Sequence, residues 1–118
     1  MMTLAVTGHR DLSASDRDRI EVTMAEIVET DPPGSILFGG ARGSDSVALK
    51  AAHNHRPATT APELVAVVPW TLKDQPTDAV ETIEDCADRV DELRSESPVG
   101  RAAGYFERNE ALVDRAGE

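Results

Sequence analysis

Cysteine is almost missing from these 118 residues: Cys86 stands alone, so no intramolecular disulfide can form and no cysteine cluster can hold zinc. Aromatic residues are nearly as scarce, limited to Phe38, Trp70, Tyr105 and Phe106, so the core has to be built from Val, Leu, Ile and Ala. That palette suits a parallel sheet covered by helices. Lysine is rare too, because ten of the twelve basic residues are Arg, and 22 acidic residues bring the net charge to −10. A chain so acidic lacks the clustered cations that hold nucleic acid or anionic lipid, so neither is an expected partner, although a local basic pocket stays open. No apolar run approaches the roughly 18 residues of a membrane span, and Met1–Thr7 lacks the basic flank and long apolar stretch of an export signal. The expectation is a soluble cytoplasmic protein.

What is present reads as one domain, whose chain length permits burial of about two-thirds of the unfolded surface. Leu4-Ala5-Val6 is a short apolar run ending in the polar turn Thr7–Asp11, the pattern of a buried strand feeding a loop. Ser13 followed by Asp16 resembles a capping box without its usual Glu, and Ile20, Met24, Ile27 and Val28 behind it recur at helical spacing until Pro32-Pro33-Gly34. Ile36-Leu37-Phe38 is the second strand; Val47, Ala48, Leu49, Ala51 and Ala52 form a helix ending near His53-Asn54-His55. Arg56 to Pro62 is a linker, and Leu64–Val68 is continuous rather than alternating, as expected of a strand buried on both faces. A third helix is expected between Thr77 and Ala87. Arg89–Leu93 fits either its continuation or an edge strand, with the strand preferred, and the last helix runs from Gly100 to Ala116. Alternation of strand and helix predicts an α/β fold of Rossmann-like, three-layer type with a mostly parallel sheet.

Chemistry concentrates in Gly39-Gly40-Ala41-Arg42-Gly43-Ser44-Asp45, between the second strand and its helix. In such a unit the strand's carboxyl end meets the helix's amino end, so backbone N–H groups and the positive helix pole face an anion. Gly39, Gly40 and Gly43 would let phosphate approach the backbone, and Arg42 would add a bidentate guanidinium. Asp45 would accept from a ribose hydroxyl. A plain tight turn accounts for the same glycines, and Ser44 and Asp45 read most simply as helix caps. The pattern is neither a Walker loop nor the dinucleotide fingerprint.

Four places taken together, namely Gly8-His9-Arg10, the Gly39–Asp45 loop, Val68-Pro69-Trp70 and Arg108-Asn109, resemble the SLOG superfamily. That group includes DNA-processing protein A, the Lonely Guy phosphoribohydrolases and, nearest in look, the small YspA-type proteins. The resemblance implies a nucleotide or nucleotide-derived ligand across the carboxyl ends of the strands. Gly8, His9 and Arg10 would line its base or sugar; Gly39, Gly40, Arg42, Gly43, Ser44 and Asp45 would hold phosphate and ribose; Arg108 and Asn109 would close the pocket. Asn109 is placed by spacing on an apolar stripe with Tyr105, Phe106, Leu112 and Val113, where a buried amide needs partners, either a loop backbone or a ligand. Arg108, bordering that stripe, reads equally well as a solvated or ion-paired residue.

The resemblance also implies a further apolar strand and a second loop of Gly-Gly-Thr type after the Arg-Asn helix. This sequence shows neither before Glu118, so the sheet is expected to lack its last strand, through truncation or because a partner chain supplies it. An edge left open in this way invites association, which leaves a homo-oligomer open. The Lonely Guy enzymes carry their catalytic Glu on that loop, so no catalytic residue is assigned. The leading function is a sensor or carrier of a nucleotide. A hydrolase cleaving N-glycosidic or phosphoribosyl bonds through His9 or Asp45 ranks second, and a single-stranded DNA binder, opposed by the charge, ranks third. No cofactor or metal is expected: His53-x-His55 has no third ligand nearby and suits a helix end on the surface. Trp70 fits core better than base stacking, Cys86 reads as inert and half-buried, and Asp74, Asp78, Glu81, Asp85 and Asp88 read as solvated.

Overall fold

The computed structural model describes residues 2–7, 12–40, 43–57 and 62–117. Four strands alternate with four helices: β1 (Thr3–Val6), α1 (Ala14–Thr30), β2 (Ser35–Phe38), α2 (Ser44–His55), β3 (Glu63–Val68), α3 (Thr77–Cys86), β4 (Arg89–Glu92) and α4 (Ala102–Arg115). The α/β expectation holds, and the sheet is wholly parallel in the order β1-β2-β3-β4.

That order dictates the layering. Three successive crossovers each lead to the adjacent strand, and the right-handed sense that such connections take puts their helices on one face. Leu4, Val6, Ile36, Phe38, Leu64, Ala66 and Val68 accordingly pack against Met24 and Val28 of α1, Ala48 and Leu49 of α2 and Ile83 of α3. The opposite face carries Ala5, Leu37, Val65, Val67 and Leu93, and α4 covers it through Leu112. β3 lies between both layers, and Leu64 to Val68 are fully buried, the leucine and the three valines each contributing about 1.5–3 kcal/mol. A strand buried on both faces gains nothing from polar alternation, which is why its sequence is an unbroken apolar run.

Local signals set the element ends. Ser13 caps α1 by accepting from the Asp16 N–H at 3.1 Å, while Asp16 accepts from the Ser13 N–H, so Asp serves where Glu is usual. Arg89–Glu92 is the strand rather than a continuation of α3. The helix stops because Asp88 is held elsewhere: its N–H donates to the Leu64 carbonyl at 2.8 Å and its carboxylate accepts from the Leu64 N–H at 2.8 Å. A single 3₁₀ turn, Leu72–Asp74, which the sequence did not suggest, precedes α3. Cys86 packs within the main core, deeper than expected, and burial pushes its thiol up. No helix among the described residues is long and apolar enough to cross a membrane.

Candidate functional site

The β2–α2 turn begins where Phe38 leaves the sheet. Gly39 and Gly40 are both buried, and Gly40 adopts φ +72°, a region that side chains rarely tolerate. A Cβ at Gly40 would come 2.7 Å from Val68 Cγ1; one at Gly39 would come 2.8 Å from Asp45 Oδ2 and 3.3 Å from Arg108 Cζ. The protein's own atoms therefore account for Gly40, and at Gly39 a side chain would have to displace Asp45 and Arg108, independently of any ligand. Their carbonyls are also engaged, Gly39 accepting from Arg108 Nη1 at 2.8 Å and Gly40 from the buried Gln75 Nε2. Gln75 is a member of this cluster that sequence reasoning missed, and a lone Gln between a 3₁₀ turn and a proline offered no signal.

Gly43, not Ser44 or Asp45, caps α2. It has φ +76° and offers no side-chain bond to the helix end, so Ser44 and Asp45 are the first helical residues rather than the caps they resembled. Both are buried, at 7% and 4% exposure. Asp45 places a carboxylate in the first turn, where the positive pole of the helix favours it, against Gly39 and close to Arg108. The Ser44 hydroxyl is buried and has no hydrogen-bond partner among the described residues. Buried hydroxyls are rarely left so, because the lost hydration costs about 1–3 kcal/mol.

From the other side of the sheet, α4 presents a buried stripe of Gly104, Arg108 and Leu112. This differs from the stripe expected through Phe106 and Val113, which are 70% and 73% exposed. The helix is rotated so that Arg108, not Asn109, faces inward. Arg108 lies 5.4 Å over the Tyr105 ring and bonds Asn109 Oδ1 through Nε at 3.2 Å, so the half-buried Asn109 orients the arginine. Gly104 sits where a Cβ would come 2.3 Å from Trp70 Cζ2, and Trp70 meets Tyr105 edge-on at 5.2 Å. Trp70 Nε1 donates to the Ser97 carbonyl at 2.7 Å, so the indole is a buried brace rather than an open stacking surface.

The structure thus brings together Gly39, Gly40, Gly43, Ser44, Asp45, Arg108 and, through Arg108, Asn109. Gly8, His9, Arg10 and Arg42 lie outside the described residues. Among the described residues no group of three metal-ligating side chains converges, and His55 bonds Glu29 at 3.1 Å rather than pairing with His53. The acidic residues read as solvated, Asp74, Asp78, Glu81, Asp85 and Asp88, are all exposed. Asp74 bonds Thr71, and Asp88 is paired with Arg56, whose guanidinium bond holds its carboxyl below the ordinary value. Burial alone would push Asp91 up, but bonds from Arg89 and Arg115 outweigh it and hold it down. These pairs tie α2 and α4 to β4 and lie apart from the turn.

Compared with models of protein families and with curated proteins, the chain matches none. Its fold does match a solved structure, that of DNA processing protein A from Helicobacter pylori, a study of that protein's single-stranded DNA binding mode. The TM-score is 0.70 at 17% identity, with 98% of this chain and 50% of that chain covered. This chain therefore spans half the length of the other, and the likeness is one of fold: a parallel Rossmann-like sheet.

Proposed function

We propose that this chain is a nucleotide-binding module that holds the phosphate of a nucleotide or nucleotide derivative at the amino end of α2. The observation that carries this reading is the Ser44 hydroxyl, buried and without a hydrogen-bond partner among the described residues, in the first turn of a helix whose cap contributes no side chain. A phosphate oxygen there would accept from that hydroxyl and from first-turn amides, at the pole where negative charge is favoured. Arg108 supports the site by compensating the buried Asp45 carboxylate, which would otherwise repel phosphate. Open parallel sheets bind at the carboxyl ends of their strands, and this turn lies there.

Calorimetric titration with AMP and ADP-ribose tests the reading, with saturable heat expected from at least one. Because the Ser44 hydroxyl bonds nothing described in the free protein, Ser44→Ala should maintain or raise folding stability while weakening nucleotide binding by about tenfold, the value of one such bond. Absence of heat with both nucleotides would overturn it.

The fold likeness favours a second reading, single-stranded nucleic acid binding. The net charge of −10 opposes it, since phosphate-backbone binding depends on releasing counterions from many cationic contacts. A gel shift with a deoxythymidine oligomer that persists at moderate salt would reverse this ranking.

A further inference from the structure

We infer that Gln75 is a positioning residue of the nucleotide site proposed above: it holds the Gly40 carbonyl turned away from the amino end of α2, so that phosphate meets the helix pole and not a backbone oxygen. This role rests on that reading of the site. Two glycines in succession leave the peptides beside them free to rotate, since neither carries a Cβ. A loose carbonyl next to a helix amino end competes with the ligand, because its oxygen is drawn to the same first-turn N–H groups and repels phosphate. Both oxygens are instead tied back from outside the turn. Arg108, on the opposite face of the sheet, donates to the Gly39 carbonyl at 2.8 Å, and Gln75 Nε2 donates to that of Gly40. Gly40 lies against Val68 of β3 and Ile83 of α3, with Gln75 beside them, whereas Ser44 shares its surroundings with Leu4 and Val6 of β1. The Gly40 oxygen therefore points to the β3 side, away from Ser44.

Gln75 is itself held on a rigid base. Its N–H donates to the Leu72 carbonyl at 3.1 Å, closing the 3₁₀ turn, and the Leu72 N–H donates to Glu92 Oε2 of β4 at 2.8 Å. Thr71 and Asp74 brace the same turn, with Thr71 Oγ1 donating to Asp74 Oδ2 at 2.9 Å. Pro76 confines the residue before it to the extended backbone that Gln75 adopts, ψ 157°. A three-residue turn anchored to β4 thus delivers one buried amide, 8% exposed, to one carbonyl of the distant β2–α2 turn.

Calorimetric titration with AMP, on the native chain and on Gln75→Met, tests this role. Methionine keeps the side-chain length and removes the donor, so the variant should bind AMP about tenfold more weakly, the value of an orientation held by one bond. Circular dichroism checks that the variant is folded. Asp88→Asn is the control: it removes a bond apart from the turn, lowers the urea midpoint and should leave AMP affinity unchanged. A purely structural Gln75 would lower the midpoint in the same way and leave affinity at the native value. Should Gln75→Met not fold, Gln75→Asn takes its place with the same expected loss, because its amide falls one methylene short of the Gly40 carbonyl. Native AMP affinity in a folded Gln75 variant overturns the inference and leaves the reading of the site standing. A native chain that binds neither AMP nor ADP-ribose overturns both.

Discussion

Arg108 Nη1 donates to the Gly39 carbonyl at 2.8 Å, a bond made just past the carboxyl end of β2 that joins α4 on one face to the turn that launches α2 on the other. It makes a buried cation the link between the two helical layers, and it places that cation beside the Asp45 carboxylate at Gly39.

Arg108→Met keeps the aliphatic bulk but leaves the Gly39 carbonyl without this donor and Asp45 without its neighbouring positive charge. We expect a loss of about 2–4 kcal/mol, read as a lower urea midpoint at unchanged slope. Arg108→Lys should recover only part of it, since an ammonium cannot reproduce the bonds to Gly39 and Asn109 together.

Gly40 combines a positive φ with a blocked Cβ position, and the two costs can be separated. Gly40→Ala should destabilise by about 1–3 kcal/mol. In a Val68→Ala background the same substitution should cost less, because the atom 2.7 Å from the new methyl is gone while the backbone strain stays. Additive effects in that double-mutant cycle would mean that the contact with Val68 is irrelevant.

Trp70 is the sole tryptophan, buried at 4% exposure against Gly104, so its fluorescence reports directly on the seating of α4. Gly104→Ala should push the helix off the indole, shifting emission to the red and lowering stability by about 1–3 kcal/mol. Unchanged emission would show that α4 does not rest on Trp70.

The bond from Arg56, 2.9 Å between Nη2 and Oδ1, lowers the Asp88 carboxyl below its ordinary value in the folded chain. A depressed folded value stabilises above the unfolded carboxylate value of about 3.9 and loses that contribution as pH falls through the folded value. Asp88→Asn should therefore cost about 0.5–1 kcal/mol at neutral pH, a modest figure because the carboxylate is 37% exposed. The stability curves of variant and native chain should converge in acid. A gap that persists there would point to the bond with Leu64 instead of charge.

Much of this architecture was legible beforehand. The strand at Leu64–Val68, the Ser13 cap and the alternation of strands with helices are local signals, readable because periodicity and capping act within a few residues. The candidate site was legible only as a neighbourhood. Gly39, Gly40, Ser44, Asp45 and Arg108 do converge, yet what crowds the first two glycines is, besides the neighbouring Asp45, Val68 and Arg108, which approach from distant positions. Gln75 was invisible because a single bond to a remote carbonyl leaves no trace in spacing.

The sequence by itself determined which segments become strands and which become helices, and with them a parallel sheet, since short connections and right-handed crossovers leave few other arrangements. Only the tertiary structure decided the phase of α4, which sinks Arg108 and leaves Phe106 in water, and the position of β1 at the sheet's edge. Helical spacing specifies that a face exists. Which face is buried depends on what another element, here Trp70 and the β2 turn, holds against it.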